Sequence, residues 1–540
     1  MDAVIIIPAI KKNVAFTDDL VKKLDGKSLI QRAVDKAGKL VNKEDIYVVT
    51  DSEEISLICK RNSVNVSYKK NLRFKPQNII ENLHFLFSEL SENYKEFILL
   101  SPYAPLLQEE TVEKALKEFR SLSKPQTLIP VKREISRIFK KDKRDFKGFI
   151  MNDLENELLI ESQAFKIISS YAIQTGIKEE KVTPLTFEVS PDLIEIRSYQ
   201  DWWVCEKLLK RKRIIFRVVS DEQLGMGHIY RALTLAHEIT DHEVRFVCDE
   251  NSNMTVTKLA GYDYWLGVYK EGEIEDQIIQ LKPDLVINDI LNTSRDYILK
   301  IRKQGIKVIN FEDLGTGACH ADLTINELYD KPEIKGKNIL WGQKYFFLRE
   351  EFNEAQPNRF KKQVSTLLVT FGAADPNDFT RKIFRKIRAY CAEMKIKIFL
   401  VTGGGYSHIE ELKQEIKHIS EPQIECIHVT GVMSHIMEQS QIAIAANGRT
   451  VYELAHMNIP SIILSHHKRE MAHSFAKKDR GFFPLGLYKG KKTGDQILFA
   501  LKRLVEDHTL RKDCFNRLKP FRFHKNKQKV LDSIAEILNE

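Results

Sequence analysis

Residues 214–238, IIFRVVSDEQLGMGHIYRALTLAHE, decide the fold of this chain. The stretch begins with a β-branched run typical of a buried strand, passes through Gly225 and Gly227, and continues at helical spacing from Tyr230. A strand that enters a helix through a glycine-rich turn is typical of a Rossmann-type unit. The glycines let backbone amides approach a phosphate, and the helix N-terminus favours negative charge. The stretch therefore predicts a nucleotide-binding α/β fold.

His228 stands directly behind this turn. A neutral histidine at such a position can accept a proton from water or from a sugar hydroxyl, which makes His228 the candidate general base. The alternative is an ordinary glycine-rich turn whose histidine is satisfied by local hydrogen bonds. The turn by itself leaves both interpretations open.

Length, composition and charge limit the class of protein. A chain of 540 residues is too long for one core, and 43% hydrophobic residues are typical of a soluble globular protein. The net charge of +9 comes from 84 basic and 75 acidic residues that are spread widely, with one basic cluster at 207–213. A nucleic-acid binder usually concentrates such charge on one face, so we expect anionic nucleotides as ligands and no nucleic acid as partner.

The cysteines and the apolar segments predict the compartment. The seven cysteines are scattered without a C-x-x-C pair, which predicts a reducing environment without a disulfide framework or a zinc site. The N-terminus lacks the pattern of a signal peptide, and no apolar run approaches the length of a membrane span. We therefore expect a cytoplasmic protein without membrane insertion. The oligomeric state stays open, a homo-oligomer included.

Strand and helix patterns alternate along the chain and predict parallel α/β sheets throughout. Three blocks separate, at 1–210, 214–357 and 358–540, the last with a C-terminal helix. The basic segment 207–213 is either the first junction or the solvated end of a helix, and the polar stretch at 357–358 indicates a hinge. The second and third blocks each have the pattern of a Rossmann-type half, with the ligand cleft expected between them at the carboxyl ends of the strands.

A second glycine-rich cluster, NGRTVYE at 447–453, again follows a strand and opens a helix. Backbone amides at Asn447 and Gly448 and the Thr450 hydroxyl can hold a second side of a diphosphate. Glu453, one turn into the helix, can accept hydrogen bonds from both hydroxyls of a ribose. The alternative is a helix-capping segment followed by a surface glutamate. The loops at 370–377 and 402–405 also follow strands, where ligand contacts collect.

Seven motifs in chain order carry a family resemblance: GMGHIYR (225–231), ND (288–289), FEDLG (311–315), ADLTIN (321–326), LREEF (348–352), FGAADP (371–376) and NGRTVYE (447–453). With them, residues 214–530 resemble the GT-B-type UDP-sugar hydrolases of the pseudaminic acid pathway and their relatives in spore-coat polysaccharide synthesis. The resemblance implies attack of water on the anomeric carbon of a UDP-linked diacetamido-trideoxy sugar, with release of UDP and the free sugar and without a cofactor.

The resemblance also implies the roles of individual residues. His228 is then the catalytic histidine, Glu453 the ribose ligand, and the loop at 431–433 covers the uracil. The implied UDP contacts are Gly225, Gly227, Val432, Met433, Asn447, Gly448, Thr450 and Glu453. The implied sugar contacts are Arg231, Asp289, Asn377 and His467.

The segment SHHKRE at 465–470 departs from these hydrolases, which usually place an Asn or a Gln-Asn pair there, so the sugar stays open. Three histidines in this region, at 466, 467 and 473, could suggest a metal. Their spacing without a carboxylate pattern favours polar sugar contacts or surface positions instead.

The N-terminal block has a strand that ends in a lysine-containing loop. Lys11, Lys12 and Lys22 can screen the charge on a leaving pyrophosphate, although lysines are also the commonest solvated residues. Five segments of this block carry a second family resemblance: IIPA (6–9), LDGKSLI (24–30), VVTDSEEI (48–55), LLSPYAPL (99–106) and IEIRSYQDW (194–202). With them, residues 1–210 are similar to the acylneuraminate cytidylyltransferases, the CMP-sialic acid synthetases.

This second resemblance implies CTP and a nonulosonic acid as substrates and Mg²⁺ as cofactor. Lys11, Lys12, Lys22, Asp51 and Ser101 are the implied nucleotide contacts, and Glu195 on a late strand is the implied metal ligand. Where the family carries a second metal-binding aspartate, this chain has Arg197, and an arginine cannot coordinate a cation. Either Arg197 replaces the charge of one metal ion, or the domain has lost catalysis.

These observations predict an α/β protein in which a Rossmann-like nucleotidyltransferase domain precedes a GT-B double Rossmann module. The predicted function is a bifunctional enzyme of nonulosonic acid biosynthesis, with UDP-sugar hydrolysis in the C-terminal part and CMP transfer in the N-terminal part. The alternative is a GT-B glycosyltransferase that uses a UDP-sugar donor and has a non-catalytic, nucleotide-binding N-terminal domain.

Overall fold

The structure is a computed structural model that describes residues 2–11, 16, 18–70, 72, 82–122, 126–134, 139–142, 145–148, 158–175, 184–220 and 226–539. The chain divides into two compact units, Met1–Arg211 and Lys212–Glu540. The division falls within the basic segment 207–213. Both Rossmann-type halves belong to the second unit.

The first unit is built on one mixed sheet. Its strands are β1 (Ala3–Ala9), β2 (Lys23–Leu24), β3 (Lys27–Ser28), β4 (Ile46–Thr50), β5 (Asn65–Tyr68), β6 (Glu96–Leu100), β7 (Thr127–Glu134), β8 (Phe139–Asp142), β9 (Asp145–Gly148), β10 (Leu158–Glu161), β11 (Phe165–Ser169) and β12 (Leu185–Glu188). Its helices are α1 (Leu29–Leu40), α2 (Glu53–Arg61), α3 (His84–Leu90), α4 (Glu109–Ser121), α5 (Ser170–Gln174) and α6 (Tyr199–Leu209).

The strand order in this sheet is β10-β7-β11-β6-β1-β4-β5, and β12 pairs with β7. The pairs β6-β1, β1-β4 and β4-β5 are parallel, as predicted. The expectation of parallel pairing throughout is wrong for β10 and β11, which are antiparallel to their neighbours. The β8-β9 ribbon lies between β7 and β10 in the chain, and a return without a crossover helix permits antiparallel pairing.

The predicted late strand at 193–196 is a loop in the structure. Leu193 and Ile196 are buried in the core of the first unit, and the Ile196 N–H donates to the Tyr103 carbonyl. The run of apolar residues therefore reflects a loop that packs against the core. Glu195 and Arg197 consequently lie in a loop.

The second unit begins with a parallel sheet of seven strands. These are β13 (Arg213–Val218), β14 (Glu243–Asp249), β15 (Trp265–Tyr269), β16 (Leu285–Asp289), β17 (Lys307–Phe311), β18 (Leu323–Asn326) and β19 (Ile339–Trp341), in the order β15-β14-β13-β16-β17-β18-β19. Its helices are α7 (Gly227–Glu238), α8 (Asn253–Leu259), α9 (Ile274–Gln280) and α10 (Arg295–Arg302). The strands that the sequence pattern predicts at 214–219, 244–247, 285–287 and 308–309 are confirmed as β13, β14, β16 and β17.

The following sheet has six parallel strands. These are β20 (Thr366–Thr370), β21 (Lys397–Thr402), β22 (Ile424–His428), β23 (Ile442–Ala446), β24 (Ser461–Ser465) and β25 (Phe482–Leu487), in the order β22-β21-β20-β23-β24-β25. The helices are α11 (Phe379–Glu393), α12 (Ile409–Ile416), α13 (Met433–Glu438), α14 (Thr450–His456), α15 (Lys468–Met471), α16 (Lys491–Glu506), α17 (His508–Leu518) and α18 (Asn526–Asn539).

Both sheets of the second unit have the Rossmann strand order, which reverses beside the first strand of each half. The reversal lies between β13 and β16 in one sheet and between β20 and β23 in the other. Open α/β sheets bind ligands at the carboxyl ends of the strands at such a switch point. The predicted α/β fold with a double Rossmann module is confirmed.

The C-terminal helix α18 packs on the first sheet of the second unit. Its buried residues Val530 and Ile534 lie one turn apart and contact a core that contains Ile309 and Phe311. The block predicted as 358–540 therefore ends in a helix whose apolar side is covered by the preceding half. Among the helices of the described ranges, none combines the length and the apolar character needed to cross a lipid bilayer.

Candidate active site

His228 and Asp289 meet at the switch point of the first sheet. Asp289 is the last residue of β16 and is paired in register with Val218 of β13, the strand that leads to His228 in α7. Nδ1 of His228 lies 2.5 Å from Oδ1 of the buried Asp289. An ionised carboxylate only accepts hydrogen bonds, so this contact places the proton on Nδ1 and leaves Nε2 as the basic nitrogen.

Arg231, one turn further along α7, holds Asp289 in place. Its Nε donates to Asp289 Oδ2 at 2.7 Å, and its remaining N–H groups bond Asp289, Glu312 and Glu327. Burial raises the pKa of Asp289, but Arg231 and His228 more than offset this and hold that pKa below its usual range. Asp289 is therefore an ionised partner of His228.

Two predicted sugar contacts, Arg231 and Asp289, belong to this network. The five N–H donors of Arg231 are all engaged by carboxylates, and its side chain is fully buried. Asp289 uses both carboxylate oxygens for His228 and Arg231 and is not among the residues that line the cleft. Arg231 lines the cleft with its donors committed to these carboxylates, whereas Asp289 lies behind the lining, so both sugar contacts stay predictions.

The cleft between the two sheets has a volume of about 950 Å³. Loops at the carboxyl ends of both sheets line it. The predicted contacts that belong to this lining are His228, Gly227, Arg231, Met433, Gly448, Thr450, Glu453 and His467. The structure thus brings residues from 227 to 467 to one site, as expected for two facing switch points.

Three other predicted contacts do not line the cleft. The Asn377 amide donates to the His466 carbonyl at 3.2 Å, and the Asn447 amide donates to the carbonyls of Glu470 and His473. Both side-chain amides therefore connect their own loops to the segment 466–473 by hydrogen bonds. Val432 is 57% exposed outside the lining, while its neighbour Met433 is buried within it.

Arg449 is a site residue that the sequence reasoning missed. Its Nη1 lies 2.6 Å from Glu327 Oε1, and its Nη2 donates to the Phe347 carbonyl at 3.1 Å. A Cβ atom added at Gly227 would lie 3.3 Å from Arg449 Cδ, so glycine permits the close approach of the two loops. A basic residue inside a glycine-rich turn was the signal that could have identified it.

Glu453 lines the cleft with its carboxylate held by a second arginine. Its Oε1 accepts hydrogen bonds from Nε and Nη2 of Arg349 at 3.1 and 3.0 Å. Burial lowers the pKa of Arg349, but Glu453 and Glu351 outweigh this effect and raise that pKa. Arg349 is thus a second missed residue, although it stands within the quoted motif LREEF.

A group of titratable side chains also lines the cleft: the buried Glu312, Asp375 and Glu470, and the mostly buried His473. Burial raises the pKa of Glu470 to about 7 and that of Asp375 to about 6. Burial lowers the pKa of His473, but the Glu312 carboxylate, 3.6 Å from its Nε2, raises it above the usual value. Sequence spacing gave no signal for this cluster, because its members come from separate loops.

The first unit brings two of its predicted nucleotide contacts together. The backbone N–H of Lys11 donates to Asp51 Oδ1 at 2.7 Å, while the Lys11 ammonium pairs with Asp18 and Glu54. Within the described ranges, Asp51 Oδ2 is buried and has no hydrogen-bond partner.

Two other predicted contacts have partners within the first unit. The Lys22 ammonium donates to the Tyr199 hydroxyl at 3.0 Å, and the Ser101 hydroxyl accepts from the Tyr103 N–H at 3.3 Å. The predicted contacts Lys12 and Gly225 lie outside the described residues.

The surroundings of Glu195 do not fit a magnesium ion. Its Oε1 accepts hydrogen bonds from the Ser162 hydroxyl and the Gln163 N–H, and its Oε2 lies 2.6 Å from Nη2 of Arg197. The Lys132 ammonium lies 4.0 Å away. Magnesium requires oxygen ligands, whereas this carboxylate is surrounded by donors and cations. Among the described residues, no group of three or more His, Cys, Asp or Glu side chains could hold a metal.

Comparison with known proteins gave relatives but no matching protein-family model. The chain is 25% identical over 305 residues to the spore coat polysaccharide biosynthesis protein SpsG of Bacillus subtilis, covering 53% of this chain and 87% of SpsG. It is 28% identical over 179 residues to the UDP-2,4-diacetamido-2,4,6-trideoxy-β-L-altropyranose hydrolase of Campylobacter jejuni, covering 32% of this chain and 64% of the hydrolase. These similarities confirm the resemblance inferred from the motifs of residues 214–530.

The uncharacterized protein MJ1062 of Methanocaldococcus jannaschii is 25% identical over 277 residues, and the chain spans 56% of its length. Two solved structures are also similar. A CMP:2-keto-3-deoxy-manno-octonic acid synthetase in complex with CTP covers 39% of this chain and 98% of its own, at 14% identity and a TM-score of 0.32. Acinetobacter baumannii MurG covers 60% of this chain and 99% of its own, at 14% identity and a TM-score of 0.45.

Proposed function

We propose that residues 212–540 hydrolyse a UDP-linked sugar, with Nε2 of His228 as the general base that activates water. The observation that carries this proposal is the His228–Asp289 pair at the switch point of one sheet, open to a cleft that the second sheet completes. Asp289 fixes the imidazole orientation and its tautomer. The same carboxylate stabilises the imidazolium that forms when His228 takes the proton.

The diphosphate of the substrate is proposed to lie against Gly227 at the start of α7 and beside the Arg449 guanidinium. The side chain of Arg449 lies next to Gly227, so both reach the same part of the cleft wall. The N-terminus of α7 and the arginine charge both favour an anion and stabilise the negative charge that develops on UDP as it leaves. Glu453, held by Arg349, is proposed to accept the ribose hydroxyls.

The decisive experiment is incubation of the full chain with a UDP-linked diacetamido-trideoxy hexose in the absence of any acceptor. Hydrolysis predicts equal amounts of UDP and free reducing sugar, measured by coupled UDP release and NMR spectroscopy. Release of UDP that requires an added sugar or lipid acceptor would contradict hydrolysis and identify the chain as a glycosyltransferase.

We propose further that the first unit binds CTP and transfers CMP to a nonulosonic acid, which makes the chain bifunctional in nonulosonic acid biosynthesis. Lys11 and Asp51 support this proposal, because they meet at the carboxyl ends of the adjacent parallel strands β1 and β4. Pyrophosphate release from CTP, tested with several nonulosonic acids and with and without Mg²⁺, measures this activity. Absence of release with every acid would make the first unit a non-catalytic module.

A further inference from the structure

Glu470, in α15, is a buried carboxyl group in the wall of the cleft. Its residue is 8% exposed, and its Oε2 accepts a hydrogen bond from the His466 backbone N–H. Its Oε1 lies 3.5 Å from the position of a Cβ atom added at Gly448. Among the described residues, none donates a hydrogen bond to Oε1. This oxygen therefore faces the turn that precedes Arg449 with its hydrogen-bonding capacity unused.

Most charged and titratable groups around Glu470 are committed to other partners. His473 donates from Nδ1 to the Asn447 carbonyl at 2.9 Å and directs Nε2 toward Glu312. Arg469 donates to Asn292 and to the backbone carbonyl of Glu312.

The remaining neighbours provide no positive charge for Glu470. Burial lowers the pKa of His466 to about 4, and its Nε2 faces the Phe371 carbonyl. Burial also lowers the pKa of His467, which accepts a hydrogen bond from the Glu470 N–H. Lys468 is exposed, and the Glu312 carboxylate opposes ionisation of Glu470. Within the described part of the chain, no cation pairs with Glu470.

We propose that Glu470 binds the diphosphate of the UDP-sugar as a neutral carboxylic acid, donating a hydrogen bond from Oε1 to a phosphate oxygen. This inference deepens the proposed function and rests on it. A neutral carboxyl group is a donor, whereas a carboxylate only accepts and repels a phosphate at the same distance. Ionisation of Glu470 therefore expels the nucleotide, and the group sets the pH range in which the site binds UDP.

The expected pH dependence follows from burial. Burial raises the pKa of Glu470 to about 7, with Glu312 acting in the same direction. At pH 6 the Glu470 carboxyl group is mostly protonated. One pH unit above its pKa, about a tenth of the molecules still carry this proton. We expect the affinity for UDP to fall about tenfold between pH 6 and pH 8 through this group.

Isothermal titration calorimetry with UDP at pH 6, 7 and 8 tests the proposal on the full chain and on the variants Glu470→Gln and Asp375→Asn. UDP itself titrates in this range, but its contribution is common to all proteins and cancels in the ratio of their dissociation constants. As the pH rises, the affinity of the parent protein for UDP should fall relative to that of Glu470→Gln. The affinity of Asp375→Asn should fall by the same factor as that of the parent protein. Asp375 is the matched control because it is also a buried acid in the cleft lining with a raised pKa.

Identical pH profiles for the parent protein and Glu470→Gln would overturn the proposal, as would loss of the dependence in Asp375→Asn alone. A second measurement on the parent protein needs no variant. Calorimetry at pH 8 in two buffers of different ionisation heat should show uptake of about one proton on UDP binding, because one group must be protonated. UDP binding without proton uptake would remove Glu470 from the site, whereas no UDP binding at any pH would overturn the proposed function itself.

Discussion

Nδ1 of His228 lies 2.5 Å from Oδ1 of Asp289, although 61 residues separate the two in the chain. The parallel pairing of β13 with β16 creates this contact at the point where the strand order reverses. Arg231 donates to both oxygens of the same carboxylate. The arrangement supplies a histidine of fixed tautomer at the edge of the cleft, and it leads to the first prediction.

Replacement of the base should separate binding from turnover. His228→Asn keeps the backbone amides at the start of α7, so we expect UDP binding to persist while turnover falls by roughly 10²-fold or more. Steady-state UDP release and calorimetry measure the two effects. His237→Asn, an exposed change on the same helix, is the control that should retain turnover. Full activity of His228→Asn would exclude a catalytic role for this histidine.

Glu453 should contribute to binding and not to proton transfer. Glu453→Ala is expected to weaken UDP binding by about 1.5 to 3 kcal/mol, the range for hydrogen bonds to a charged group. Turnover at saturating substrate should stay near that of the parent protein. Glu438→Ala, in the half-exposed end of α13, serves as a control. Equal affinity of Glu453→Ala and the parent protein in calorimetry would remove the ribose assignment.

Arg231 should be a determinant of stability. Arg231→Ala leaves the buried carboxylates of Asp289, Glu312 and Glu327 without their shared cation, which is expected to cost about 3 to 5 kcal/mol in the free energy of unfolding. Arg385→Ala removes the exposed pair with Glu415 and should cost at most about 1 kcal/mol. Urea unfolding of both variants checks this contrast. Similar losses in the two would show that the buried network is not stabilising.

Arg197 should control whether the first unit binds a divalent cation. Arg197→Asp removes the guanidinium beside Glu195 and adds a second carboxylate, so we expect Mg²⁺ binding in this variant and none at Glu195 in the parent protein. Calorimetric titration with Mg²⁺ measures the difference. Arg211→Asp makes the same charge change at an exposed position and is the control. Mg²⁺ binding to the parent protein that Glu195→Gln abolishes would contradict the assignment.

His456 should make the protein sensitive to acid. Burial lowers the pKa of His456 to about 4, and nearby Arg522 acts in the same direction. The unfolded chain binds a proton below about pH 6.5, whereas the folded protein does so only near pH 4. The free energy of unfolding should therefore fall as the pH drops through this window, by about 2 kcal/mol between pH 6.5 and pH 5.

His456→Gln should lose this part of the pH dependence, while His408→Gln, at a half-exposed histidine, should retain it. Urea unfolding of the parent protein and both variants at pH 7 and pH 5 gives the comparison. An equal loss of stability in the parent protein and His456→Gln would show that His456 does not titrate in the predicted way.

The sequence by itself determined the local elements of the second unit. The β-branched run before Gly227 and the apolar spacing after it depend on neighbouring residues, so β13 and α7 could be predicted, and the same holds for β23 and α14. Two such turns in one chain were enough to predict facing Rossmann halves. The local pattern gave a wrong prediction at 193–196, because a loop that packs on a core can be as rich in apolar residues as a strand.

Only the tertiary structure decided which polar groups meet. Glu453 and Arg349 are 104 residues apart, and Asp289 turned out to hold His228 where a sugar contact had been expected. The ionisation of Glu470 depends on its burial and on neighbours from other loops, neither of which a local pattern encodes. Sequence periodicity reports which face of an element is buried, whereas hydrogen bonds and pKa values depend on distances that exist only after distant segments have packed together.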